Sequence, residues 1–210
     1  MKYVDVMQGS SEWLQARCGI PTASEFHRIL TPGTLKVSRQ MDTYMYRLLA
    51  EWMTGTPFAD EVRIWSTSME DGLAREQESV EYFELVSGET TSLAGFCLTD
   101  DGKVGASPDR FIGDKEGLFE AKNPIASTHV GWLLEEGVPR EHLLQVQGQL
   151  FVTGLKRHVF LSYYPGLPPL LVESAPILEI QAALALALRV FNLRMGEAKE
   201  RLAELKERTS

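Results

Sequence analysis

The chain has 210 residues, enough for one domain with a real core, and its 44% hydrophobic and 24% charged residues are the balance of a globular protein. No apolar run is long enough for a membrane helix, Met1 to Gln8 has no apolar signal core, and the two cysteines, Cys18 and Cys97, are too few for a disulfide scaffold, so a reducing cytoplasm is the expected setting. A formal net charge of −8 argues against a general nucleic-acid coat protein and by itself favours a protein that does not meet DNA, unless the phosphates are met in one local groove and by divalent cations.

Thr22 with Glu25 three residues on is a capping-box pattern, so a helix is expected from about Thr22 to Leu30, stopped by Thr31-Pro-Gly33. A helix from about Ser38 to Thr54 follows, with Tyr44, Leu48 and Trp52 on one face and Gly55 at its end. Pro57 to Ser66 reads as a loop, and the next helix runs from about Ser68 to Ser87 and stops at Gly88. Short strands are expected at Ser92 to Leu98, Gly105 to Ser107 and Leu118 to Lys122, with Asp100-Asp101-Gly102 and Gly113 to Gly117 as the turns between them. Pro139 opens a helix from about Arg140 to Thr153, closed by Gly154. Arg157 to Tyr164 and Leu170 to Glu173 read as strands, and about 176–208 as a helical tail. This order predicts a single α/β domain over 1–210, a central mixed sheet flanked by helices on both sides.

The chemistry concentrates in Ser107-Pro-Asp109, ten intervening residues, then Glu120-Ala-Lys122. Magnesium takes oxygen ligands, commonly one or two carboxylates plus substrate phosphate. Asp109 and Glu120 supply such carboxylates from neighbouring strands, and the backbone carbonyl of Ala121 offers a third oxygen. Glu120 and Lys122, two apart on a strand, share a face with Leu118, while Phe119 and Ala121 face the other way. Lys122 then stands beside the metal and the scissile phosphate, where its ammonium orients water and stabilises developing charge. Its further use as a general base depends on its pKa. Taken alone, the pattern also fits an ordinary hairpin with surface charges.

Two helical residues add to it. Glu76 shares an apolar stripe with Leu73, Val80 and Phe83, where a carboxylate is costly without a cation; it is a candidate ligand, or else a glutamate reaching water at the edge of the stripe. Gln147 lies among Leu143, Leu144, Leu150 and Phe151, where it reaches a phosphate or a water in the site, or else bonds backbone as a core glutamine. Gln145 and Gln149 fall on other faces and are assigned a different role.

In ordered form these residues resemble the lambda-type exonucleases, the family of phage recombination and alkaline nucleases within the restriction-endonuclease-like superfamily. The resemblance spans about Gln8 to Tyr164: Gln8-Gly-Ser-Ser-Glu-Trp13 with Arg17, Gly19 and Thr22-Ala-Ser24, then Gly72-x-x-x-Glu76, the hairpin just described, and Gln145-Val-Gln147. It implies a restriction-endonuclease-like core and a magnesium-dependent exonuclease, with manganese able to substitute and two ions per site. The substrate would be linear double-stranded DNA with a 5′-phosphate end, cut 5′-to-3′ to leave 3′ overhangs.

By the same resemblance Asp109, Glu120 and Glu76 are metal ligands, Lys122 is the catalytic lysine, and Gln147 contacts water or phosphate. Arg17 and Ser24, with help from Ser107, hold the terminal 5′-phosphate. A helix start near Thr22 and the bidentate fork of Arg17 suit that role physically, although a surface salt bridge and simple helix capping would also account for Arg17 and Ser24. Trp13 reads as core packing. The family further implies a homotrimeric ring, a single-strand annealing protein as partner, no membrane, and a phage or prophage setting in a bacterial cytoplasm. Lys36, Arg39, Arg47 and Lys103 are candidates for a basic channel lining. The competing readings are an endonuclease or junction resolvase of the same superfamily, and a non-catalytic DNA-end-binding protein.

Overall fold

The computed structural model describes residues 1–58 and 67–209; most of the loop expected over Pro57 to Ser66 lies outside them. The chain opens with a short strand β1 (Lys2–Val4) and a helix α1 (Ser11–Arg17), whose first turn is capped by the Ser10 hydroxyl accepting from the Trp13 N–H. Both are too short to leave a periodic pattern.

Where a longer helix was expected from Thr22, the chain forms a 3-10 helix, Ala23–Arg28. The capping box does not form. The Thr22 N–H donates to the Tyr44 hydroxyl at 3.2 Å, and Glu25 pairs with Arg28 instead of reaching back. A tertiary partner has taken the Thr22 N–H, and a local ion pair has taken the Glu25 carboxylate.

Helix α2 (Met41–Thr54) ends on Gly55 in the left-handed conformation, as its sequence predicts. Tyr44 and Leu48 are buried, whereas Trp52 is 41% exposed, lying under the ammonium of Lys199. Helix α3 (Thr67–Ser87) follows. The stretch expected as one strand is two, β2 (Thr91–Leu93) and β3 (Phe96–Leu98), in different sheets. Gly95 makes the break: its φ is +41°, and a Cβ there would lie 2.6 Å from the Val4 carbonyl oxygen.

Strands β4 (Gly105–Ala106), β5 (Arg110–Ile112) and β6 (Gly117–Lys122) come next, then helices α4 (Ala126–Glu135) and α5 (Arg140–Thr153). Strands β7 (His158–Ser162) and β8 (Leu170–Ser174) lead to one continuous tail helix, α6 (Leu178–Thr209).

A small antiparallel sheet has the order β1-β3-β4, and the main sheet has the order β2-β5-β6-β7-β8. Within the main sheet β6 and β7 pair in parallel and the other neighbours antiparallel. A parallel pair needs a long crossover, and α4 with α5 supplies it. Phe119, Ala121, Val159 and Leu161 bury one face of the sheet against Val80 and Phe83 of α3. Leu118 on the other face joins the core built from α5, α2 and α6, including Leu144, Leu150, Leu184 and Phe191. Helices therefore cover both faces.

Gly148 on α5 seats the 3-10 helix: a Cβ there would come within 2.5 Å of the Phe26 ring. That close approach carries the end of α1 and Ser24 toward the sheet face bearing Glu120. Among the described residues no helix is long and apolar enough to cross a membrane.

Candidate active site

The strand periodicity read from Glu120-Ala-Lys122 holds. Lys122 Nζ donates to Glu120 Oε1 at 2.6 Å on the face shared with Leu118. Asp109 enters in the plane of the sheet, its Oδ2 accepting the Ala121 N–H at 2.8 Å. Proline explains this junction. In the register Arg110↔Phe119 and Phe111↔Leu118, the residue facing Ala121 is Pro108, which has no N–H to give. A strand residue points its N–H and C=O to the same side, so the Ala121 carbonyl opens toward Asp109. The Pro108 carbonyl is itself taken by Gln8 Nε2 at 2.6 Å.

Glu120 is buried and accepts three side-chain hydrogen bonds: Lys122 and Gln145 Nε2 on Oε1, each at 2.6 Å, and Gln149 Nε2 on Oε2 at 2.7 Å. Burial pushes its carboxyl up, but the Lys122 charge and the bonds from Gln149 and Lys122 more than offset this and leave it below its ordinary value. Asp109, half-buried, goes the opposite way. Desolvation first, then the charges of Glu120 and Glu76, raise it well above the carboxylate range, against partial relief from Lys122 and the Ala121 N–H. Desolvation works against the Lys122 charge too, yet Glu120 and Asp109 outweigh it and hold the ammonium above its ordinary value.

A cleft of about 180 Å³ joins these groups to the N-terminal signature. Gln8, Trp13, Arg17, Ser24 and Ser107 line it together with Asp109, Glu120, Gln145 and Gln149. The Arg17 guanidinium lies 3.9 Å from the centre of the Trp13 ring and donates to the Thr22 hydroxyl at 3.2 Å. Trp13 is not packed away in the core as its sequence context suggests: its indole N–H donates to the Ser107 hydroxyl at 2.9 Å, and the ring forms a wall of the cleft.

One expectation needs correction. Gln147 does not face the site. It is fully buried on the far side of α5, donating to the Ala175 carbonyl at 3.0 Å and accepting from the Ile177 N–H at 2.8 Å and from Gln181. It is a core glutamine that ties α5 to the start of α6. Gln145 and Gln149, one turn apart, occupy the place expected for it. Helix α5 is buried almost all round, so its apolar stripe marks the α6 side, and its polar stripe faces Glu120.

Glu76 is half-buried, and it approaches from the other direction. Its helix α3 packs on the Phe119 and Ala121 face, opposite to Glu120. Desolvation and the Glu120 charge raise its carboxyl, with Arg110 and Lys122 opposing, so its charge is felt at the site although it does not line the cleft.

Among the described residues no three His, Cys, Asp or Glu side chains converge closely enough to hold an ion unaided. Asp109, Glu120 and the Ala121 carbonyl nevertheless fit magnesium, which completes such sites with water and substrate phosphate. The supporting observation is that Asp109 and Glu120 line one cleft. A divalent cation there would offset the Glu120 charge which, after burial, raises the Asp109 carboxyl.

Comparison with known proteins agrees. A family model described as the YqaJ-like viral recombinase domain matches residues 12–156. Among solved structures, an alkaline exonuclease from Laribacter hongkongensis is similar with a TM-score of 0.82 and 24% identity over 96% of this chain and 100% of that one. The same enzyme in complex with dAMP gives 0.81 and 25% over 96% and 100%. A phage-related exonuclease from Haemophilus somnus 129PT gives 0.63 and 9% over 89% and 96%, a likeness of fold. No match was found among curated proteins. These findings bear out the resemblance to the lambda-type exonucleases and the fold expected from it.

Proposed function

Since the chain belongs to the YqaJ-like viral recombinase domain family, we propose that it is a magnesium-dependent exonuclease that degrades one strand of linear double-stranded DNA from a 5′-phosphorylated end. The direction is 5′-to-3′, and the product is a 3′ single-stranded overhang for recombination. One observation carries the reading: Arg17, Ser24 and Ser107 line the same cleft as Asp109 and Glu120. An end-phosphate holder beside hydrolytic carboxylates sets the cut at a fixed short distance from the end.

Each side chain has a part in this. Arg17, held over the Trp13 ring, presents its fork to the terminal phosphate, where paired N–H groups suit phosphate geometry. Ser24 and Ser107 add hydroxyls. Asp109, Glu120 and the Ala121 carbonyl would hold magnesium, and Glu76, whose charge is felt at the site, would assist a second ion. Magnesium, when bound, supplies Lewis acidity and lowers the pKa of a coordinated water. The Lys122 ammonium offers charge to the phosphate oxygens, which is electrostatic stabilisation. Gln145 and Gln149 hold Glu120 ionised and fixed in orientation.

The test is digestion of linear duplex with magnesium, comparing 5′-phosphate and 5′-hydroxyl ends, beside a covalently closed circle and the Lys122→Ala protein. Release of mononucleotides from the phosphorylated strand, an intact circle and a dead variant are expected; manganese in place of magnesium should retain activity. Cutting of the circle would favour an endonuclease or junction resolvase. No cleavage of any DNA would leave an end-binding protein. A homotrimeric ring, a single-strand annealing partner and a bacterial cytoplasmic setting follow from the family resemblance. Leu186, Val190 and Leu193, exposed at helical spacing on α6, offer a face for contact between subunits.

A further inference from the structure

We propose that His158 is a positioning residue for the carboxylate of Glu120, acting through Gln149 to fix how that carboxylate meets a divalent cation. The inference rests on the reading that Glu120 holds the metal.

The three residues form a hydrogen-bonded chain that runs from the cleft into the core: Gln149 Nε2 donates to Glu120 Oε2 at 2.7 Å, and Gln149 Oε1 faces His158 Nε2 at 2.6 Å. All three are buried, at 2% exposure or less. The donor directions are forced. An ionised carboxylate only accepts, so Gln149 must turn its amino group toward Glu120. Its carbonyl then needs a donor, so the neutral histidine carries its proton on Nε2. The amide is fastened at both ends and cannot flip.

His158 is also in the right place to act only this way. It lies on β7 opposite Leu118, and Phe160 lies opposite Glu120, so His158 shares the face of Glu120 two residues back along the sheet. Its other ring nitrogen, Nδ1, is buried with no hydrogen-bond partner. An orphaned ring nitrogen in a core costs stability that phenylalanine at the same position would not. A group kept at such a cost calls for a role, and the bond to Gln149 is the one it makes.

The consequence for the metal is specific. Lys122 and Gln145 occupy Oε1, and Gln149 occupies one position on Oε2. Of the roughly four lone-pair positions of a carboxylate, about one is left for a cation. Releasing the Gln149 amide would let Glu120 rotate and change which lone pair is offered. Partners that orient a ligand in this way typically affect metal affinity about 10- to 100-fold.

The experiment measures Mn2+ binding to the full chain by calorimetry, without DNA, for the natural protein, His158→Phe, Gln149→Leu, the double variant and His129→Phe. His129 is an equally buried histidine, bonded to the Ser162 hydroxyl and the Pro168 carbonyl instead of to this chain. His158→Phe and Gln149→Leu should each weaken binding about tenfold or more, and the double variant should be no weaker than Gln149→Leu, because the two act in series. His129→Phe should bind as the natural protein does while melting lower.

His158→Phe binding as tightly as His129→Phe, or the two losses adding in the double variant, would overturn the proposal while leaving the metal site standing. Failure of the natural protein itself to bind Mn2+ would overturn the metal reading and this inference with it. A second measurement needs no variant. Nitrogen NMR of the natural protein should find His158 with its proton on Nε2, and finding it on Nδ1 would overturn the chain.

Discussion

The Ala121 N–H donates to Asp109 Oδ2, so the aspartate ahead of one strand is fastened to the residue between Glu120 and Lys122 on the next. Asp109 is thereby held in the plane of the sheet, while Glu120 is held from the helix above it. The two carboxyls are fixed from different directions; burial and then the Glu120 charge raise Asp109, while the Lys122 charge and the Gln149 and Lys122 bonds lower Glu120 against its burial.

Asp109→Asn keeps an oxygen for the Ala121 N–H and removes the repulsion from Glu120. Without metal at neutral pH, the variant should melt at or above the temperature of the natural protein, because a carboxyl that ionises badly in the fold has been replaced by a neutral amide. Its nuclease activity should fall on the order of a hundredfold or more. Thermal melts in chelator, beside digestion in magnesium, separate the two effects. A large drop in melting temperature would show that the negative charge at Asp109 stabilises the empty site.

Arg17→Lys should behave almost like Arg17→Ala. Lysine keeps the charge but loses both the planar guanidinium over Trp13 and the paired donors. On 5′-phosphorylated duplex the expected loss in kcat/KM is roughly 10- to 100-fold, with little change on 5′-hydroxyl ends. Full rescue by lysine would reduce the role of Arg17 to charge alone.

Gln147→Leu and Gln145→Leu should part company. The first strands the Ala175 carbonyl and the Ile177 N–H and should cost about 1–3 kcal/mol for each group left unpaired, while activity per folded molecule is retained. The second removes a donor to Glu120 and should lower activity with a smaller change in stability. Denaturant melts and turnover on the same preparations decide between them.

Acid should loosen the fold through His158. Burial pulls its pKa from 6.5 down to about 4, the charge of Lys122 adding to the effect and that of Glu120 opposing it. In the unfolded chain the ring takes its proton near 6.5, while in the fold it resists until about pH 4. The stability it contributes is therefore complete above about pH 6.5 and is lost as pH falls toward 4, roughly 3 kcal/mol over that window. His142, also lowered by burial, acts in the same direction. Denaturant stability measured across pH 4 to 7 should fall less steeply for His158→Phe than for the natural protein.

The catalytic hairpin was legible because strand period two leaves little freedom: once Glu120 and Lys122 lie on a strand they must share a face, and the structure puts them there. The ends of α2, α3 and α5 were legible from Gly55, Gly88 and Gly154. Glutamine placement on α5 was not. Reading an apolar stripe finds the side of a helix that meets other helices, and on a helix buried all round the reacting groups occupy the stripe that looks polar. The 3-10 helix at Ala23–Arg28 was not legible because the Thr22–Glu25 pattern is local, while Tyr44, which takes the Thr22 N–H, is brought there by packing. Nothing local marks the face to which α3 brings Glu76, since that depends on how the crossover places the helices.

Pro108 gives the arrangement a vulnerability of its own. A sheet lengthens by one rung whenever two facing residues can exchange an N–H for a carbonyl, and proline is the residue that refuses. The open carbonyl of Ala121 survives because of that refusal. Any other residue at 108 would bring an N–H opposite it and invite the ladder to close by one more rung. The chain could then keep Asp109, Glu120 and Lys122 untouched, gain a hydrogen bond, and be silenced by becoming a more regular sheet.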